Sequence, residues 1–297
     1  MQNLYSDSVY QRIQEYGIIP LVTLENARDA LLLGQALMEC GLPIVEITFR
    51  TKAAEEAIKI LKKEYPEILV GAGTVLTKAT AKIAIQAGAE FILSPGIYPE
   101  VIQYCQDRNV LPFPGCMTPT DLELAQRLGL KCVKIFPAVP MGGLAMLKAI
   151  SAPFPEMRYL ATGGINNSNV KEYLEFPRML ACGGSWLIKK ENLKTSNIEN
   201  LKKEINQAIT SMLDLRWNLS QFSILEYIHK TLSDTETLRR LTIQTSDFGR
   251  AVNYFLRIGF MEDVTFSEVR KEGAANQETI LIKSNSKLVL HLTGGGN

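Results

Sequence analysis

The chain has 297 residues, 46% of them hydrophobic and 21% charged, with a formal net charge of +1. That length and balance fit one large α/β barrel or two modest globular domains, and near-neutrality gives no electrostatic reason to expect nucleic acid or an anionic membrane as a partner. No apolar run approaches the roughly 20 residues that cross a bilayer, and the opening MQNLYSDSVYQRIQEYG lacks the basic-then-apolar pattern of a signal peptide, so a cytoplasmic protein is expected. Cys40, Cys105, Cys116, Cys132 and Cys182 are scattered, odd in number and without CxxC spacing. They read as free thiols, not as a disulfide frame or a zinc site.

In chain order, eight short β-prone runs alternate with helical stretches: GIIPLVTL (17–24), PIVEITF (43–49), ILVGAG (68–73), EFILSP (90–95), VLPFPG (110–115), CVKIFPA (132–138), RYLATGG (158–164) and RMLACGG (178–184). Most are apolar almost throughout, as parallel strands covered on both faces should be. The segments between them, such as NARDALLLGQALMECG and TKAAEEAIKILKKEYP, repeat apolar residues at intervals of three and four. Gly41, Gly88 and Gly129 stand where helices should stop. Eight βα units in succession predict a TIM (β/α)8 barrel over residues 1–213. An open doubly wound sheet uses the same alternation, but no GxGxxG follows the first strand. NLKTSNIENLKKEINQAITSMLDL reads as the last barrel helix, 214–236 as a connector, and 237–297 as a small α+β unit of βαβββ order. Its predicted elements are strand RRLTIQT, helix SDFGRAVNYFLRIGF, and strands DVTFSEVRK, ETILIKS and KLVLHLT.

In such a barrel, chemistry sits where the strands end. Lys134 lies inside the apolar sixth strand. There an ammonium loses hydration, and a neutral amine is free to attack a carbonyl; the plain alternative is a lysine that snorkels to solvent or pairs with an acid. Glu46, between Val45 and Ile47, is either a proton-transfer group or one half of a buried ion pair. Arg50 offers a fork for carboxylate or phosphate, or is a surface arginine opening a helix. TGGI (162–165) and CGGSW (182–186) end strands seven and eight, where barrel enzymes commonly hold phosphate on backbone N–H groups. One such glycine pair is usually only a turn; two at those strands point to an anion site.

The motifs IVEITFRT, GAGTVL, ILSPG, PFPGCMTPTDL, VKIFPA, APFPEMRYLATGGI and GGSWL, in that order, closely resemble the 2-keto-3-deoxy-6-phosphogluconate (KDPG) aldolase family, whose members are also described as 4-hydroxy-2-oxoglutarate (KHG) aldolases. The resemblance covers residues 15–212. It implies a class I aldolase that cleaves KDPG to pyruvate and glyceraldehyde 3-phosphate. Lys134 would be the Schiff-base lysine and Glu46 the general acid/base. Arg50 and Thr74 would hold the substrate carboxylate, Pro95 would shape the pocket wall and Thr162 would line the side that sets stereochemistry. The backbones of Gly163, Gly164 and Gly184, with Ser185, would bind phosphate. It also implies no cofactor beyond the covalent adduct at Lys134, no metal, and a homotrimer of barrels. Thr23 is a departure, since some relatives have an arginine near this point. The only histidines, His229 and His291, lie outside the barrel, whereas zinc-dependent aldolases lean on histidine clusters.

Two further readings stay open: an enzyme acting mainly on KHG, and a catalytically silent phosphate-binding barrel serving as a sensor or assembly module. LTIQTSDFGRAVNYFLRIGF (241–260) resembles the opening of one half-module of the vicinal oxygen chelate (glyoxalase-like) superfamily. A lone half-module leaves a sheet face or edge exposed unless something covers it, so pairing with the same unit of another subunit, or packing on the barrel, is expected. His291 reads there as an ordinary strand residue.

Overall fold

The computed structural model describes residues 8–194, 197–215, 225, 228, 239–262, 278–282 and 288–294. Its contacts divide the chain into two units, one up to Ile205 and one from Asn206 onward.

The first unit is built on nine strand segments: β1 (Ile18–Val22), β2 (Ile44–Thr48), β3 (Leu69–Gly73), β4 (Phe91–Leu93), β5 (Leu111–Phe113), β6 (Gly115–Cys116), β7 (Cys132–Ile135), β8 (Arg158–Thr162) and β9 (Met179–Gly184). They form one parallel sheet in the order β5-β4-β3-β2-β1-β9-β8-β7-β6. β5 and β6 are the two halves of one strand, parted at Pro114. The first half pairs with β4 and the second with β7, so the sheet closes into the eight-stranded barrel that the sequence predicts. Proline brings no N–H to a ladder, but the Pro114 carbonyl still accepts from Lys134 N at 2.9 Å. Nearly every strand residue is buried, which is why these runs read as continuously apolar.

The helices follow from their patterns. In α3 (Ala54–Glu64), Ala54, Ala57, Ile58 and Leu61 are buried, while Lys62 and Lys63 stand in the last turn, where they suit the helix dipole. The TPTD motif closes a capping box on α6 (Pro119–Arg127). Thr118 Oγ1 accepts from Asp121 N at 3.2 Å, and the Asp121 carboxylate accepts from Thr118 N at 2.9 Å. An additional helix, α1 (Ser8–Tyr16), buries Tyr10, Ile13 and Tyr16 and packs on β1 and β9, at the end of the barrel opposite the strand C-termini. The single helix expected at the end of the barrel is two, α9 (Lys190–Lys194) and α10 (Ile198–Leu213).

In the second unit, β10 (Arg239–Thr245), α11 (Phe248–Arg257), β11 (Met261–Glu262), β12 (Glu278–Ile282) and β13 (Leu288–Gly294) follow the βαβββ order. The sheet runs β10-β13-β12-β11, with β10 and β13 parallel and the other pairs antiparallel. Ile243, Leu281, Leu290 and Leu292 are buried, as are Ala251, Tyr254 and Phe255 of α11. His291 bonds Glu278 at 3.0 Å. The predicted strand at 263–271, the connector apart from a few positions, and His229 lie outside the described residues. No helix among the described residues is long and apolar enough to cross a membrane.

Candidate active site

β7 carries Lys134 into the middle of the first unit, in register with Gly115 on one side and Leu160 on the other. Its side chain is buried, 5% exposed, and its ammonium nitrogen lies 4.8 Å from the centroid of the Phe136 ring. β2 buries Glu46 still more completely, at 1% exposure, and neither carboxylate oxygen has a hydrogen-bond partner. Burial is the largest influence on both groups. It draws the Lys134 amine below the ordinary lysine value, helped by the Arg50 charge and opposed by Glu46. It pushes the Glu46 carboxyl above the ordinary carboxylate range, opposed by Lys134 and Arg50. Both groups thus lean toward their neutral forms, one an available nucleophile and the other an available proton donor.

Space for the Glu46 carboxylate comes from β3. A Cβ placed on Gly73 would collide with Glu46 Oε1, so the second glycine of GAG is a packing requirement. Thr74, one residue later, holds φ at +59°, a left-handed conformation that costs a β-branched residue of the order of 1 kcal/mol or more. Thr48 and Thr23 bond to each other through their hydroxyls at 2.7 Å inside the barrel.

A cavity of about 260 Å³ opens at the strand C-termini. It is lined by Arg50, Thr162, Gly163, Gly164, Gly184 and Ser185, together with Thr23, Phe136 and Lys190. Both glycine pairs are there, held by neighbours. Ala138 N and Val139 N donate to the carbonyls of Thr162 and Gly163 at 2.8 and 3.0 Å. That pairing brings Pro137 and Val139 so close that a Cβ on Gly163 or Gly164 would clash, and both glycines have left-handed φ, +92° and +85°. Trp186 Nε1 donates to Asn167 Oδ1 at 2.9 Å and ties the loop after β9 to the loop after β8. Thr162 Oγ1 is buried without a partner. Thr74 and Pro95 stand at the ends of β3 and β4 on the same rim but do not line this cavity, and Lys134 and Glu46, both buried, are not among its lining residues either. Among the described residues no group of three or more His, Cys, Asp and Glu is positioned to hold a metal ion. No disulfide joins the five cysteines, all of them buried, and burial pushes the Cys40 and Cys105 thiols up to about 12, so neither of these two is a poised nucleophile.

Residues 9–204 match the family model of the KDPG and KHG aldolases. The chain belongs to this family. The 2-dehydro-3-deoxy-phosphogluconate aldolase of Haemophilus influenzae is 37% identical over 204 residues, covering 69% of this aldolase and 96% of the relative. The enzyme of the same name from Treponema pallidum is 40% identical over 194 residues, 65% of this chain and 92% of its own. Among solved structures, the KDPG aldolase of Legionella pneumophila, captured with pyruvate as a covalent carbinolamine at low pH, superposes with a TM-score of 0.65 at 33% identity, over 69% of this chain and 98% of that one. The family model's match falls on the barrel of the aldolase.

Among the residues of the aldolase's cavity that sequence reasoning did not single out are Phe136 and Lys190. Phe136 was visible only as an apolar letter in KIFPA, and its place beside the lysine depends on the chain turning after β7. Nothing in the sequence around Lys190 sets it apart from the chain's other lysines. Only barrel closure brings the start of α9 next to the glycine loops.

Proposed function

We propose that this protein is a metal-independent class I aldolase that cleaves KDPG to pyruvate and glyceraldehyde 3-phosphate through a Schiff base on Lys134. The observation that carries the proposal is a buried amine sharing the barrel interior with a buried, unbonded carboxyl, beneath a cavity lined by Arg50 and two glycine turns. The relatives named for this substrate, and the carbinolamine in one of them, support it.

The proton on Glu46 makes each step balance. The neutral Lys134 amine adds to the C2 ketone and gives a carbinolamine. Glu46 protonates its hydroxyl, water leaves, and an iminium and a carboxylate remain. The carboxylate takes the C4 hydroxyl proton, the C3–C4 pair moves into the iminium, and the aldehyde departs from an enamine. Glu46, now protonated, returns the proton to C3. Water then adds to the new iminium, yielding its proton to the carboxylate, and pyruvate is released with the amine and acid restored. Arg50 and Thr74 hold the carboxylate of the pyruvate portion, Pro95 walls the pocket, and Thr162 faces the C4 hydroxyl. The phosphate rests on the backbones of Gly163, Gly164 and Gly184 and on the Ser185 hydroxyl. The same machinery serves KHG, for which the family is also named, and comparing turnover on the two substrates ranks them. A cytoplasmic oligomer of barrels belongs to the same reading.

Borohydride with pyruvate should add mass at Lys134 alone and abolish activity, while a chelator leaves turnover unchanged. Trapping at another lysine, or loss of activity on chelation, would refute the assignment.

A further inference from the structure

The cavity is lined by two cations, Arg50 and Lys190, and by no carboxylate. Arg50 follows β2 and belongs to the carboxylate-binding side in the reading above. The phosphate-binding side would otherwise meet a group of about −1.5 to −2 charge at neutral pH with backbone N–H groups and one hydroxyl alone. β1 supplies no charge there, since Thr23 is neutral and its hydroxyl is engaged by Thr48. The adjacent lysines 189 and 190 have different surroundings. Lys189 is turned to Glu204, whose carboxylate accepts from Lys189 N at 3.1 Å and pairs with its ammonium at 3.3 Å. Lys190 has no carboxylate within ion-pair distance among the described residues. Ile188 and Leu193, both buried and both on the cavity wall, fix the backbone on either side of it.

We infer that Lys190 is the phosphate-side cation of this aldolase, a specificity residue that makes the site favour a phosphorylated keto acid over the same acid without phosphate. The inference rests on the KDPG reading. An ammonium on a four-carbon stem acts as a mobile point charge, so it adds attraction without fixed geometry. Its effect falls on binding and not on the bond-breaking step.

Steady-state kinetics of wild type, Lys190→Ala and Lys190→Arg on KDPG and on 2-keto-3-deoxygluconate test it, with inorganic phosphate as a competitive probe. For Lys190→Ala the KM for KDPG and the inhibition constant of phosphate should rise about three- to tenfold, as expected for one partly exposed charge-assisted contact. The kcat and the KM for 2-keto-3-deoxygluconate should move less than about twofold, and Lys190→Arg should restore phosphate affinity. The rise should shrink as salt is added. A wild type that cleaves KDPG while Lys190→Ala keeps its KM within that twofold margin overturns the inference alone, as does an equal rise for both substrates. A wild type unable to cleave KDPG overturns the underlying reading and the inference together.

Discussion

At the scale of single residues, Lys134 and Glu46 show the same physical pressure acting on opposite chemistries. Each is buried, burial penalises charge, and an amine and a carboxyl respond by moving toward neutrality from opposite directions. One proton then serves the pair. Glu46→Gln leaves an amide that cannot relay it, so kcat should fall about 10²- to 10⁴-fold with substrate affinity little changed, measured as steady-state cleavage of KDPG. The pair also leaves a mark on stability. A lysine whose folded pKa lies below its unfolded one binds fewer protons in the native state, so proton uptake favours unfolding between the two values. That penalty fades as pH climbs toward the ordinary lysine value. Lys134→Met should therefore be inactive yet more stable than wild type at pH 7, with the gap narrowing as pH approaches about 10. Urea unfolding of both proteins across that range checks it; a gap that widened with pH would contradict the lowered amine. Glu46 acts with the opposite sign, since its raised carboxyl destabilises the fold increasingly as pH rises from the ordinary carboxylate value toward its own.

At the scale of elements, the barrel was legible because parallel strands buried on both faces leave a direct trace, a run of apolar letters between glycine-terminated helices. Lys134 and Glu46 stood out for the same reason, as charges inside such runs. The break of the fifth strand at Pro114 was not legible, because pairing on two sides with different neighbours is a property of closure. Nor was α1, which has polar residues around a short apolar face and is fixed by the strand starts it covers. Gly73 illustrates the middle ground: the sequence marks the glycine, but only the packing explains it. Its missing Cβ is the space that the Glu46 carboxylate occupies. Gly73→Ala should cost about 1–3 kcal/mol from overpacking and displace the carboxylate, slowing both cleavage and the dehydration that forms the iminium between Lys134 and pyruvate. Thermal unfolding together with borohydride trapping separates the two effects. A lower melting temperature with cleavage and trapping both unchanged would mean that the carboxylate had not moved.

At the scale of the whole molecule, the chain is an aldolase barrel followed by a βαβββ unit that lies outside the family model's match. The Haemophilus enzyme is matched over 96% of its own length by about two thirds of this chain, so a barrel of this family stands without such a unit. Every residue named in the mechanism lies before residue 190, and Lys190 follows directly. The helix α10 is continuous from Ile198 to Leu213, with Leu201, Ile205, Ala208, Ile209 and Met212 buried along one stripe, so a cut inside it would expose apolar surface. A chain ending after Leu215 keeps that helix whole. It should remain folded, and its kcat and KM for KDPG should stay within about threefold of the full chain, an energy difference of well under 1 kcal/mol. What should change is assembly. In the four-stranded sheet, the half-exposed face bearing Ile280, Ile282 and Val289 is apolar enough to seek a partner, and pairing between copies through it would be lost on truncation. Sedimentation of the two chains at equal concentration distinguishes the roles. A smaller assembly with intact turnover assigns the C-terminal unit to oligomerisation. An unchanged assembly with altered KM would instead tie it to substrate binding.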